Sequence, residues 1–168
     1  MKDQALYKIP YGLYMVSSHK NGAINGQIAN ALFQVTAEPQ TVAVSINKKN
    51  LTHEYIDASK EFAASILCQK TPMTFIGTFG FKSGKNINKF EHVSYELGKT
   101  KSPVLKDNCL GYFEAKVIDQ LSVGTHTIFV GKVIDDHVFS SEEAMTYAYY
   151  QQVKGGRAPK TAPTYREK

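Results

Sequence analysis

Apolar positions along this chain recur mostly at every second residue, the period of strands rather than of helices. Gly12-Leu-Tyr-Met-Val-Ser-Ser18 reads as a first strand, closed by the turn Lys20-Asn21-Gly22. From Ala23 to Thr36 the apolar residues are interrupted by Asn25, Gly26 and Asn30, which sit poorly inside a helix. That pattern predicts two strands joined by a segment of close backbone approach, ended by Glu38-Pro39. Thr41 to Asn47 alternates, with Val42, Val44 and Ile46 on one face and Ala43, Ser45 and Asn47 on the other. After the turn Lys48-Lys49-Asn50, Thr52 is the expected N-cap of a short helix through about Ser59, offering Tyr55 and Ile56 to the core. Glu61 to Cys68 is another strand. Thr71-Pro72 starts a second short helix, with Pro at the first helical position, ending near Gly77 to Gly80.

Beyond a Gly- and Asn-rich loop, His92 to Leu97 is a short strand and Cys109 to Leu121 a long one, Phe113, Ala115 and Val117 facing opposite to Tyr112, Glu114 and Lys116. Gly124 turns the chain into a partner strand, Thr125 to Ile134. Such a long antiparallel pair favours a barrel or sandwich over an open α/β sheet. Ser140-Ser-Glu-Glu143 has the form of a capping box, and Thr146-Tyr-Ala-Tyr-Tyr150 keeps any helix there short. Residues 1–153 are thus expected to form one domain, and 154–168, with Gly-Gly and two prolines, a basic extended C-terminal arm.

Composition adjusts this picture in three places. The 168 residues, 42% hydrophobic and 21% charged, suit one folded domain and argue against a disordered chain. No apolar run approaches the roughly 20 residues that span a bilayer, and MKDQALYKIP lacks an apolar leader core, so a cytoplasmic protein without a membrane partner is expected. The net charge of +5 is concentrated in the arm, where Lys154, Arg157, Lys160, Arg166 and Lys168 face Glu167 alone. The body is close to neutral, and its basic residues do not interleave with aromatics on a strand; a local phosphate site fits better than a nucleic-acid face. Cys68 and Cys109 are the only cysteines, too few for an iron–sulfur cluster or a rubredoxin-type iron, each of which needs about four ligands. His19, His53, His92 and His137 lack metal-ligand spacing and are expected at the surface; no metal site is predicted. Redox chemistry here would require an organic cofactor.

Three polar segments share a chemical theme. In Asn25-Gly-Gln-Ile-Ala-Asn-Ala31, amides and exposed backbone suit the pyrimidine edge of a flavin, and small residues let a ring approach the main chain. A bulged strand with solvated amides is the plainer reading. Asn47-Lys-Lys-Asn-Leu-Thr52 joins a strand end to a helix N-terminus with unpaired N–H groups, a phosphate cradle or an ordinary capped turn. Gly80-Phe-Lys-Ser-Gly-Lys-Asn-Ile-Asn-Lys-Phe90 combines glycine, serine and three lysines with two aromatics that could shield a ring, and is otherwise a solvated basic loop. It does not fit GxxxxGK[ST], so a nucleotide triphosphatase is not supported.

The order and wording of NGQIANALFQVT with EP following, NKKNLT, FGFKSGKNINKF and GTHTIFVGKV resemble the flavin reductase family of FMN-binding split barrels, over nearly the whole chain. The resemblance implies a mainly β, Greek-key split barrel with a few short helices, a homodimer, FMN as cofactor and NAD(P)H as electron donor. Carried over by position, Asn25, Gly26, Gln27, Asn30 and Ala31 would lie along the isoalloxazine, and Ser45, Ile46, Asn47 and Lys48 would line its far side. Asn50 and Thr52 would meet the phosphate, while Phe81, Lys82, Ser83, Gly84 and Lys89 would complete the ribityl and phosphate site. His126 matches a histidine near the nicotinamide side of the flavin, or is simply a strand histidine at a barrel mouth. Thr146-Tyr-Ala-Tyr-Tyr through Tyr165 is similar to the segment of high-molecular-weight rubredoxins that precedes their rubredoxin domain, which makes rubredoxin, free flavin or ferric iron the implied acceptors. A narrower alternative is an FMN electron-transfer protein without its own NAD(P)H reaction.

Overall fold

A computed structural model describes residues 5–165. Seven strands form one antiparallel sheet: β1 (Tyr14–Lys20), β2 (Ala23–Ala29), β3 (Leu32–Ala37), β4 (Gln40–Asn47), β5 (Glu61–Leu67), β8 (Cys109–Val123) and β9 (His126–Val138). Their spatial order is β2-β1-β5-β8-β9-β4-β3, so the two ends of the sheet are consecutive in sequence, joined through Asn30 and Ala31. The Ser45 N–H donates to the Ala31 carbonyl across that junction. A two-stranded ladder, β6 (Tyr95–Leu97) with β7 (Pro103–Leu105), and three short helices, α1 (Leu51–Ser59), α2 (Met73–Phe81) and α3 (Tyr147–Gln152), complete the split β-barrel.

Local chemistry accounts for most of these elements. Asn21 and Gly22 both take positive φ (51° and 81°), the geometry of a tight hairpin turn that matches strand twist. Val42, Val44 and Ile46 are almost fully buried in the barrel interior with Val16, Ile56, Phe62, Ala64, Ala115 and Phe129. A second core, with Leu13, Met15, Leu67, Ile76, Phe79, Phe90 and Leu105, packs α2 and the following loop against β1, and Tyr147 and Tyr150 of α3 join it.

Several elements differ from the sequence reading. The N-cap of α1 is Asn50; Thr52 lies in the first turn, where its hydroxyl accepts a bond from the Asn25 side chain (2.8 Å). Pro72 caps α2 from outside the helix rather than beginning it, and α2 runs on to Phe81. Ser140-Ser-Glu-Glu143 caps no helix, because Ala144 is drawn into a bridge with Cys68; Thr146 caps α3 instead, accepting from the Tyr149 N–H. β7 lies in a stretch that reads as a loop, and the Ser17 hydroxyl holds its Pro103 carbonyl at 2.5 Å. Glu114 faces opposite to Phe113, Ala115 and Val117, which pack on the barrel core, yet it is fully buried because the 98–102 loop closes over its carboxylate. That carboxylate accepts from the Lys99 N–H (2.9 Å) and from the Thr100 N–H (2.9 Å) and hydroxyl (2.6 Å). His53 is half-buried rather than at the surface, with Nε2 2.7 Å from the Thr127 hydroxyl and its ring against Phe129. Among the described residues, no helix is long and apolar enough to cross a membrane.

Candidate functional site

The junction between β2 and β3, the end of β4, the start of α1 and the loop after α2 converge on one cavity of about 620 Å³. That lies within the ~300–1,000 Å³ typical of small-molecule sites. Of the residues singled out in the sequence, Asn25, Gln27, Asn30, Ser45, Asn47, Asn50, Thr52, Phe81, Lys82, Ser83, Gly84 and Lys89 line it together. The polar end is built by cross-bracing. Asn25 bonds Thr52, the Asn50 amide donates to Gln27 (3.1 Å), and the Asn47 carboxamide accepts from the Lys49 N–H (3.0 Å). The N-cap Asn50 makes no side-chain cap bond, so N–H groups of the first turn of α1 stay available to an anion. Gly84 passes so close to Asn25 that a Cβ there would overlap its amide oxygen and press on Leu51, so the Asn25 side chain or the loop would have to shift.

Lys89 supplies the dominant charge. It is 7% exposed, and its ammonium donates to the Gly26 carbonyl (2.9 Å) and the Phe79 carbonyl (3.2 Å), 5.8 Å from the Phe79 ring centre. Burial pulls its pKa down to about 8. Among the described residues, no aspartate or glutamate lines the cavity, whereas Lys49, Lys82, Lys89, Arg157 and Lys160 do. Another part of the lining is apolar and aromatic, with Leu13, Ile28 and Ile76 beside Tyr147 and Tyr150, and Phe79 lies between it and Lys89. An anionic group joined to a flat apolar ring fits this division, and a flavin mononucleotide has that form.

The other five residues stand outside the lining. Gly26 contributes its carbonyl to Lys89, and Ala31 its carbonyl to Ser45. Ile46 is fully buried in the barrel core, and Lys48 is turned away, its ammonium 2.7 Å from both the Ser122 hydroxyl and the Gly124 carbonyl. His126, half-buried on β9, meets the C-terminal arm instead, with Nε2 3.2 Å from the Thr161 carbonyl and Nδ1 2.8 Å from the Thr125 hydroxyl. A carbonyl only accepts, so the neutral ring carries its proton on Nε2 and Nδ1 accepts from Thr125. Burial lowers the His126 pKa, and the Thr161 carbonyl partly opposes that.

Sequence reasoning gave the arm no place in this site. Arg157, Ala158, Pro159, Lys160, Thr161, Ala162, Pro163 and Tyr165 wall the same cavity, while 166–168 lie outside the described residues. Its contacts reach residues far away in sequence, such as Asn30 to Thr164 (2.9 Å), and no local pattern encodes them.

Fold and site together define a flavin-handling β-barrel. The chain belongs to the flavin reductase family: residues 6–156 match the flavin reductase like domain, and the protein is an oxidoreductase of that type. It is 48% identical to a high molecular weight rubredoxin of Moorella thermoacetica over 98% of this chain and 72% of the relative. It is 46% identical to a ferric-chelate reductase (NAD(P)H) of Archaeoglobus fulgidus over 99% of both chains. Among solved structures, the flavin reductase PheA2 superposes with a TM-score of 0.73 at 29% identity, covering 87% of this chain and 93% of that one. The NADH:FAD oxidoreductase SgcE6 of Streptomyces globisporus superposes with a TM-score of 0.76 at 23% identity (86% and 89% coverage), which speaks for the fold alone.

Proposed function

We propose that the chain binds FMN in this cavity and carries electrons from NAD(P)H through it to an acceptor such as rubredoxin or ferric iron. The observation that carries the reading is the make-up of the cavity: buried Lys89, Lys82 and the open first turn of α1, apolar and aromatic side chains beside them, and no carboxylate among the described lining residues. The phosphate would rest on the α1 N-terminus with Ser83, Lys82 and Lys89, where helix N–H groups and ammonium groups favour a dianion. Asn30 and Ser45 would fix the polar edge of the ring by hydrogen bonding, and Phe79, Tyr147 and Tyr150 would keep water from its apolar part. When bound, the flavin supplies hydride acceptance from nicotinamide and release of electrons singly or in pairs. Relatives whose names include NAD(P)H-dependent ferric-chelate reduction and rubredoxin support the donor and the acceptors.

Exposed apolar side chains also support a homodimer. Phe33 and Val35 on β3, with Ile118, Leu121 and Val123 on the β8–β9 hairpin, are all at least 46% exposed, and a second copy of the chain would cover them. One observation favours the narrower alternative, an FMN protein loaded by another enzyme: the arm separates His126 from the cavity. Titration with FMN, FAD and riboflavin tests the core of the proposal. FMN should bind at least tenfold tighter than riboflavin, because riboflavin has no phosphate to engage the cationic residues; equal affinities would remove the phosphate site from the reading.

A further inference from the structure

The family match ends at residue 156, just inside the arm, and leaves 157–168 beyond it. Alignments with the rubredoxin-type and ferric-chelate reductase relatives, spanning 165 and 167 residues, continue through it. Whatever the arm does is therefore added to the common domain rather than inherent in it.

Three ties hold the arm across the cavity, to α3, to β9 and to the β2–β3 junction with α3. At its start the Tyr150 hydroxyl donates to the Arg157 carbonyl (2.9 Å) and accepts from the Arg157 N–H (3.2 Å). In the middle, His126 on β9 meets the Thr161 carbonyl. Near its end the Thr164 hydroxyl accepts from the Asn30 amide (2.9 Å) and donates to the Tyr147 hydroxyl (3.4 Å). Between the ties, Ala162 and Tyr165 close turns onto the Pro159 and Ala162 carbonyls, and Pro159 and Pro163 restrict the backbone further. The segment is thus a stiff strap with anchors at both ends. It roofs the cavity without filling it, since about 620 Å³ remains beneath with the strap in place. It brings no carboxylate over the site, so it does not repel an anionic ligand.

We infer that residues 157–165 are a cofactor-retaining part of the flavin site, and that they make the flavin a resident group rather than a substrate that exchanges. A ring lying under Thr161, Ala162 and Pro163 leaves only when the strap lifts, which breaks the ties to Tyr150, His126 and Asn30 together. The inference rests on the proposed FMN reading and sharpens it: electrons leave to an acceptor that comes to the protein, not by release of reduced flavin. Free flavin then drops out as the physiological acceptor.

The test compares three proteins loaded with FMN: the full chain, a chain ending at Gly156, and Thr164→Val, which removes both bonds to Thr164 and leaves the rest of the strap. Dissociation is followed after dilution by recovery of free-flavin fluorescence, and binding by absorbance. With each lost tie contributing on the order of a tenfold change, the shortened chain, which loses all three, should release FMN on the order of 1,000-fold faster and Thr164→Val roughly 10-fold faster. If the shortened chain fails to fold, Thr164→Val alone decides. Release rates within twofold of the full chain would overturn the inference while leaving the FMN site intact. Failure of the full chain to bind FMN at all would instead overturn the reading on which it rests.

Discussion

Replacing Lys89 by methionine isolates the charge at the centre of the site. The ammonium is buried with two carbonyls and no carboxylate, and its pKa falls from an ordinary 10.5 to about 8. At about 1.36 kcal/mol per pH unit, keeping it charged at neutral pH costs the flavin-free fold about 3 kcal/mol. Between pH about 8 and 10.5 the unfolded chain binds the proton and the folded chain does not, so stability rises with pH across that window. Below it the cost is constant. Lys89→Met, similar in volume, should abolish that rise, and at pH 7 it should stabilise the flavin-free protein by up to about 3 kcal/mol, less whatever the two carbonyls lose. FMN binding should respond in the opposite sense. A phosphate beside Lys89 raises its pKa again, so affinity should be flat below pH about 8 and weaken about tenfold per unit above it. In Lys89→Met the affinity should be roughly 10- to 100-fold weaker at pH 7 and lose that dependence. Urea unfolding across pH 7–10.5, with FMN titration at the same values, measures both. Identical pH dependence in the two proteins would show that Lys89 is neither the strained cation nor the phosphate partner.

Gly84→Ala places a Cβ against the Asn25 amide and Leu51, so FMN affinity should fall at least tenfold in equilibrium titration while the melting temperature moves little for an exposed loop. Glu114→Ala strips three donors of their acceptor inside the 98–102 loop and should cost about 2–4 kcal/mol in urea unfolding, with FMN affinity unchanged because the loop is remote from the cavity. Phe33→Glu with Ile118→Glu should convert the proposed dimer to a monomer in sedimentation analysis; a wild-type chain that is already monomeric refutes that surface as an interface.

The barrel was legible because its strands are encoded locally. The Val42–Val44–Ile46 alternation, the Asn21-Gly22 turn and the Gly124 hairpin each state a period or a backbone sign that neighbours cannot hide. β7 was not, because its three residues are buried by partners elsewhere and lie between polar turns. The burial of Glu114 escaped for a related reason: alternation gives its facing, but the 98–102 loop that covers that face comes from elsewhere in the chain. For the site, short polar segments named twelve lining residues, since a cradle of amides, glycine and lysines is built from contiguous stretches. Lys48 and Ile46 stand in those same stretches but face away, which strand parity and the pull of the Ser122–Gly124 turn decide. The roof could not be read at all. Asn30 and Thr164 are 134 residues apart, and nothing in a Pro-rich basic tail states what it folds onto.

Anaerobic addition of NADH, and separately NADPH, to the FMN-loaded protein bears most directly on the flavin cavity as a working redox site. The flavin absorbance near its visible maximum should bleach with at least one donor and return when oxidised rubredoxin or a ferric chelate is added. A flavin that stays oxidised with both donors would contradict the NAD(P)H reaction and leave only a passive FMN carrier.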